Sequence, residues 1–267
     1  MGGVVFKSYD ERGSAGKEAS KPDVRPDAAQ WARERLGFEP DERQAEVLRT
    51  EAKRAILNCT RQWGKSTVGA AKAVHRAYWR PGSTVLVASR TERQSAELVM
   101  KARTMLGRLG IRPRGDGSSG VSAVLPNGSR IVALPGVEEN IRGYSAVSLL
   151  LIDEASMVQN AMYMALRPML AVGGGDLWLM STPRGKQGFF YETWERGGDE
   201  WFRMSVPATE CPRISKAYLE EERRAMGSAI FEQEYMCAFV ENGAALFGRH
   251  VVEAAIDDDL EPLVFVW

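Results

Sequence analysis

The run Cys59-Thr60-Arg61-Gln62-Trp63-Gly64-Lys65-Ser66-Thr67 constrains the fold more than any other feature of the chain. The apolar stretch Ala55-Ile56-Leu57 precedes it, and the small residues Val68-Gly69-Ala70-Ala71 follow. That order reads as strand, tight loop and helix, with Gly-Lys-Ser at the helix start. Such a loop turns backbone N–H groups and a helix N-terminus toward phosphate. The pattern Gly-x-x-x-x-Gly-Lys-[Ser/Thr] is met except at its first position, which is Cys59. Loop N–H groups from about Arg61 to Ser66 are expected to wrap a β-phosphate. Lys65 is expected to reach the β- and γ-phosphates as a point charge, and Ser66 to offer a hydroxyl to Mg2+. Residues Cys59, Thr60, Arg61, Gln62, Trp63, Gly64, Lys65, Ser66 and Thr67 thus form a candidate ATP segment.

A second stretch, Leu149-Leu150-Leu151-Ile152-Asp153-Glu154, reads as a buried strand ending in two carboxylates. Hard oxygen ligands suit Mg2+, so Asp153 is its expected partner, directly or through water. Glu154 is the expected base or orienter for attacking water. Arg61 is placed to touch the γ-phosphate or a neighbouring subunit, or to stand as a solvated loop charge. Ser181-Thr182-Pro183 ends another apolar run, where Ser181 and Thr182 would sense hydrolysis and pass it on; the plainer reading is a strand-end turn held by Pro183. Gln44 carries an amide that can pair with adenine, with Phe38 or Arg43 stacking on the base. By spacing alone Gln44 reads as a solvent-facing helix residue.

Strand and helix patterns alternate along most of the chain, which points to an α/β fold with a largely parallel core sheet. Strands are expected at 54–59, 84–89, 148–152, 176–181 and 202–206, and a hairpin joins 121–125 to 130–134 through Asn127-Gly128. Helices are expected at 28–36, 41–53, 66–78, 92–109, 160–169, 189–196 and 216–239, the last broken at Gly227. Parallel strands bind ligand at their carboxyl ends, where the Lys65 and Asp153 loops emerge. The chain has 267 residues, enough for one large domain or a domain with a small appendage. Its 35 basic and 35 acidic side chains cancel, which neither supports nor excludes a nucleic-acid face. Three scattered cysteines argue against a disulfide scaffold or a metal cluster. No apolar run approaches a membrane span, and the start lacks a signal-peptide core, so a cytoplasmic location is expected.

Taken in order, these segments resemble the ATPase half of the large terminase subunit, the DNA-packaging motor of tailed phages and related viruses. The resemblance runs from about Phe38 to about Phe247. It rests on Phe38 to Gln44, the Cys59–Thr67 loop with its internal arginine, Asn140-Ile141-Arg142-Gly143 and Leu149 to Glu154. Ser181-Thr182-Pro183-Arg184-Gly185 and Phe231-Glu232-Gln233-Glu234-Tyr235 with Cys237-Ala238-Phe239 complete it. It implies a P-loop NTPase of the ASCE type, with a mostly parallel central sheet flanked by helices and a small C-terminal helical subdomain. It implies ATP and Mg2+ as ligands, and Ser181 and Thr182 as coupling residues. Arg142 resembles a trans-acting finger, although the sequence equally allows it to pair with Glu138 and Glu139. The implied partners are double-stranded DNA, a portal protein, a small terminase subunit and further copies in a ring, expected as a pentamer, with no membrane, in the host cell cytoplasm. The expected division is a flexible arm at 1–27, an ATPase core at 28–207 and a helical lid at 208–247. Residues 248–267 read as the start of a linker to an absent nuclease domain, so no nuclease activity is expected. Asp257, Asp258 and Asp259 read as a solvated turn.

Basic groups at Arg90 and Arg93, at Lys101, Arg103 and Arg108, at Arg112 and Arg114, and at Arg184 and Lys186 are candidates for sequence-blind phosphate contacts, or are ordinary surface charge. Trp63 is expected to pack against a neighbouring loop. Two other functions share these motifs. A helicase-like ATPase would separate strands, and a nucleotide-gated assembly protein would bind ATP with little turnover.

Overall fold

The computed structural model describes residues 26–115, 117, 121–136, 143–241 and 255. The expectations for the arm before residue 26, for Arg142 and for 257–259 and 263–267 fall outside this set.

Seven strands form one sheet among the described residues: β1 (Arg54–Cys59), β2 (Thr84–Ala88), β3 (Ser122–Val124), β4 (Arg130–Ala133), β5 (Leu149–Asp153), β6 (Asp176–Ser181) and β7 (Trp201–Val206). Their order is β3-β4-β2-β5-β6-β1-β7. Every neighbouring pair is parallel except β3 with β4. That exception is the expected hairpin, turned at Gly128, whose φ of 79° suits glycine.

The interior strands are buried on both faces, so they read as continuous apolar runs. Alternation still decides the layer. Ala55, Leu57, Val85, Val87, Leu149, Leu151, Trp178 and Met180 enter one core. Ile56, Leu86, Leu150, Ile152, Leu177 and Leu179 enter the other. The first layer is covered by α1 (Ala28–Trp31), α2 (Glu42–Arg49), α3 (Lys65–Trp79) and α4 (Glu92–Arg108). The second is covered by α5 (Asn160–Leu166) and α6 (Gly188–Arg196). α3 lies so close to the sheet that a Cβ at Gly69 would sit 2.7 Å from the Met180 Cε. Beyond β7, α7 (Lys216–Met226) and α8 (Ser228–Glu234) meet at Gly227, φ 76°, as the sequence led us to expect. They share a small apolar cluster of Ala208, Leu219, Phe231 and Tyr235.

Several boundaries differ from expectation for local reasons. α2 stops at Arg49, with Asp41 and Gln44 forming a capping box at its start. The 160–169 segment is α5 followed by a tighter turn, Arg167–Leu170, opened by Pro168. α1 passes into a wider helical turn, Ala32–Leu36, closed by Gly37 at φ 59°. Arg108 closes that end too, donating to the carbonyls of Leu36 at 2.8 Å and Gly37 at 2.5 Å. Arg103 likewise donates to Ser122 and Pro113 carbonyls, at 2.6 and 3.2 Å. These two arginines therefore serve the fold through those carbonyls. Among the described residues, no helix is long and apolar enough to cross a membrane.

Candidate nucleotide site

The sheet order places β6 between β1 and β5, so the carboxyl ends of three adjacent strands come together. β1 delivers the loop of Thr60 to Gly64, β5 delivers Asp153, and β6 delivers Ser181 and Thr182 between them. The loop turns sharply because Gln62 and Gly64 take left-handed conformations, φ 62° and 97°. A turn of this kind can gather backbone N–H groups into an anion nest. Gly64 has a second constraint: a Cβ there would lie 2.9 Å from the Gln44 Nε2.

α3 starts at Lys65. The Lys65 ammonium is buried, with donor distances of 3.1 Å to the Cys59 carbonyl, 3.0 Å to the Thr60 carbonyl and 3.1 Å to the Thr182 Oγ1. The Thr182 hydroxyl in turn donates to the Cys59 carbonyl at 3.0 Å. The Ser66 hydroxyl donates to the Asp153 Oδ2 at 2.7 Å. The other Asp153 oxygen accepts the Glu154 amide at 3.0 Å. Glu154 stands in the left-handed region, φ 51°, where the strand breaks into a short turn. Burial pushes its carboxyl above the ordinary range, and the charges of Asp153 and Glu234 add to this, while Lys65 and Arg61 oppose it. An acid raised in this way is suited to proton transfer nearer neutral pH.

Ser181 and Thr182 also meet the turn that follows Glu154. Ser156, two residues beyond Glu154, receives a bond from the Ser181 hydroxyl at 2.8 Å. Its own hydroxyl donates to the Thr182 carbonyl at 2.8 Å, and its amide donates to the Ser181 Oγ at 3.1 Å.

The residues fit magnesium triphosphate. Ser66 and Asp153 set two hard oxygens side by side, and the nest and Lys65 offer donors and positive charge. Thr67 lies on the first turn of α3, its amide bonded to the Gly64 carbonyl at 2.9 Å.

One expectation changes, and the surroundings of Trp63, Cys59, Arg43 and Arg61 are added to it. Gln44 is 1% exposed and not solvent-facing; its amide holds the Trp63 carbonyl at 2.6 Å and the Asp41 amide at 3.0 Å. Trp63 is wholly buried in the core cluster on the α3 side of the sheet. Only the carbonyl of Cys59 faces Lys65, because alternation along β1 sends its side chain into the core. Arg43, considered as a stacking partner for a base, is engaged with Glu46, Glu210 and the Ser205 carbonyl. Arg61 reaches Glu234 on α8 at 2.5 Å, with its side chain 70% exposed. Sequence reasoning missed Ser156, Arg213 and Glu234. Arg213 reaches the Trp63 carbonyl across 150 residues of chain, a pairing for which no local pattern exists.

The fold is that of the α/β P-loop NTPases of the ASCE type. A family model described as "Terminase large subunit, T4likevirus-type, N-terminal" matches residues 56–252. The chain belongs to that terminase large subunit family. The large terminase subunit of Thermus phage G20c is 24% identical over 252 residues, covering 80% of this chain and 51% of its own length. That of Thermus virus P23-45 is 24% identical over 262 residues, with the same coverage of 80% and 51%. The chain thus spans about half the length of the curated relatives it matches. The ATPase domain of the Thermus phage P74-26 large terminase superposes with a TM-score of 0.68 at 23% identity, covering 79% of this chain and 98% of that one. The large terminase of another thermophilic bacteriophage, solved in complex with ADP, gives 0.62 at 16%, covering 74% and 53%. These structural likenesses show the fold.

Proposed function

We propose that this chain hydrolyses ATP to drive double-stranded viral DNA into a procapsid, as the ATPase domain of a large terminase. The observation that carries the reading is the convergence of the Lys65 ammonium, the Ser66–Asp153 pair and Glu154 at the carboxyl ends of neighbouring strands. Family membership supports the packaging role, and the relatives solved with ADP and with ATP-gamma-S support nucleotide as the ligand class.

In this reading Lys65 and the loop amides hold the β- and γ-phosphates, and Ser66 and Asp153 hold Mg2+. Held there, Mg2+ would supply charge neutralisation on the phosphate oxygens. Glu154 orients water and takes its proton, and its raised carboxyl range favours that exchange. Arg61 supplies a second positive charge beside the γ-phosphate, which requires it to leave Glu234. Arg142 is assigned the trans role toward a neighbouring copy in a ring. Ser181 and Thr182, tied to Ser156 and Lys65, carry the state of the site to the helices beyond β7. The core at 28–207, the lid at 208–247, the portal and small-subunit partners and the host cytoplasm complete the proposal.

Steady-state ATP hydrolysis by Lys65→Ala and Asp153→Asn tests it, with and without Mg2+. Both variants are expected to lose turnover by at least about a hundredfold. Unchanged turnover in either would refute the site.

A further inference from the structure

The carbonyl of Trp63 takes two hydrogen bonds from outside the loop. The Gln44 Nε2 donates to it at 2.6 Å, and the Arg213 Nη2 donates to it at 2.6 Å. The two donors are themselves tied together by Asp41. Its Oδ1 accepts the Gln44 amide at 2.8 Å, its Oδ2 accepts the Arg213 Nη2 at 3.0 Å, and its own amide donates to the Gln44 Oε1 at 3.0 Å. The network closes on itself, and all of it is aimed at one peptide unit of the phosphate loop.

A trans peptide holds its C=O and the following N–H in opposite directions. Fixing the Trp63 carbonyl on Gln44 and Arg213 therefore fixes the Gly64 N–H on the opposite side of that peptide. Among the described residues nothing accepts a hydrogen bond from that N–H. Gly64 itself leaves no room for a side chain between the loop and Gln44.

We infer that Gln44, Arg213 and Asp41 are positioning residues that pre-set the Gly64 amide for phosphate. The inference rests on the nucleotide reading above and gives Gln44 a role that does not involve the base. A loop whose amide is already aimed loses less orientational freedom when an anion arrives, so the clamp raises affinity without touching the ligand.

The test measures binding of ATP, GTP and inorganic tripolyphosphate by titration calorimetry. The proteins are wild type, Gln44→Met, Arg213→Met and Arg213→Lys. Both methionine variants are expected to bind all three ligands about tenfold more weakly. Arg213→Lys restores most of that loss, because one ammonium can serve both acceptors that Nη2 serves. Gln44→Met separates the clamp from simple loss of positive charge, since it changes none. Should Arg213→Met fail to unfold cooperatively on heating, Gln44→Met carries the comparison. Wild-type affinity in Gln44→Met, or a loss confined to ATP with tripolyphosphate unaffected, would overturn the inference. Absence of tripolyphosphate and nucleotide binding by the wild type would instead overturn the nucleotide reading beneath it.

Discussion

Lys72 provides the sharpest energetic prediction. It lies on α3 two turns beyond Lys65 and is 8% exposed. Its ammonium donates to the carbonyls of Leu48 at 3.2 Å and Thr50 at 2.7 Å, and sits 4.5 Å from the centre of the Trp178 ring. It therefore caps the end of α2 and fastens that helix to α3. Burial, and next the charge of Arg76, lower its pKa from 10.5 to about 8, while Asp176 and Glu51 oppose the shift. Between those two values the unfolded chain binds more protons than the folded one, so stability rises with pH across that window. Integrated from about pH 7.5 to about pH 9.5, the gain is about 2 kcal/mol. Lys72→Met removes the titration. The difference in unfolding free energy, wild type minus Lys72→Met, should therefore grow by about 2 kcal/mol over that range. Urea unfolding of both proteins at several pH values measures it, and subtraction cancels every other titrating group. A difference that stays flat, or that shrinks as pH rises, would refute the argument that Lys72 is held as a partly desolvated cation.

Glu154→Gln should lower turnover by a factor of about 10² to 10⁴ while leaving ADP affinity near wild type. The wild-type rate should fall with acidity through a pKa raised above the ordinary carboxylate value, and this limb should vanish in the variant; a pH–rate profile reads both. Thr182→Val removes a hydroxyl that bridges Lys65 and the Cys59 carbonyl, which should weaken nucleotide binding by roughly tenfold; isothermal titration would show it, and an unchanged affinity would detach Thr182 from the site. Arg108→Ala strands the Leu36 and Gly37 carbonyls and should cost about 1–3 kcal/mol in denaturant unfolding with DNA affinity unaltered. Lost DNA affinity at full stability would make Arg108 a phosphate contact and refute its structural role.

Legibility in the sequence followed burial and range. β1 and β6 fall within their expected bounds because a strand buried on both faces is a continuous apolar run with polar ends. β5 runs one residue further than expected, since Asp153 still pairs with Met180 although it is charged. Its partner Ser66 satisfies the carboxylate there, and hydropathy does not register that kind of compensation. The 28–36 and 160–169 segments were visible as helical but not in their detailed form. Their ends depend on Arg108 and Pro168 competing with helix propensity.

The Cys59–Thr67 run and the Leu149–Glu154 run determined by themselves the tight loop, its helix and the carboxylate strand, because each is a local pattern set by neighbours in sequence. The tertiary structure alone decided that β6 stands between them, so that Ser181 and Thr182 touch Ser156 and Lys65. It alone turned Gln44 and Trp63 inward, set Glu234 against Arg61, and brought Arg213 across 150 residues to the Trp63 carbonyl. The physical reason is that hydrogen-bond donors and charges are matched through space. A residue's partner there is set by strand order and helix packing, which leave no periodic trace along the chain.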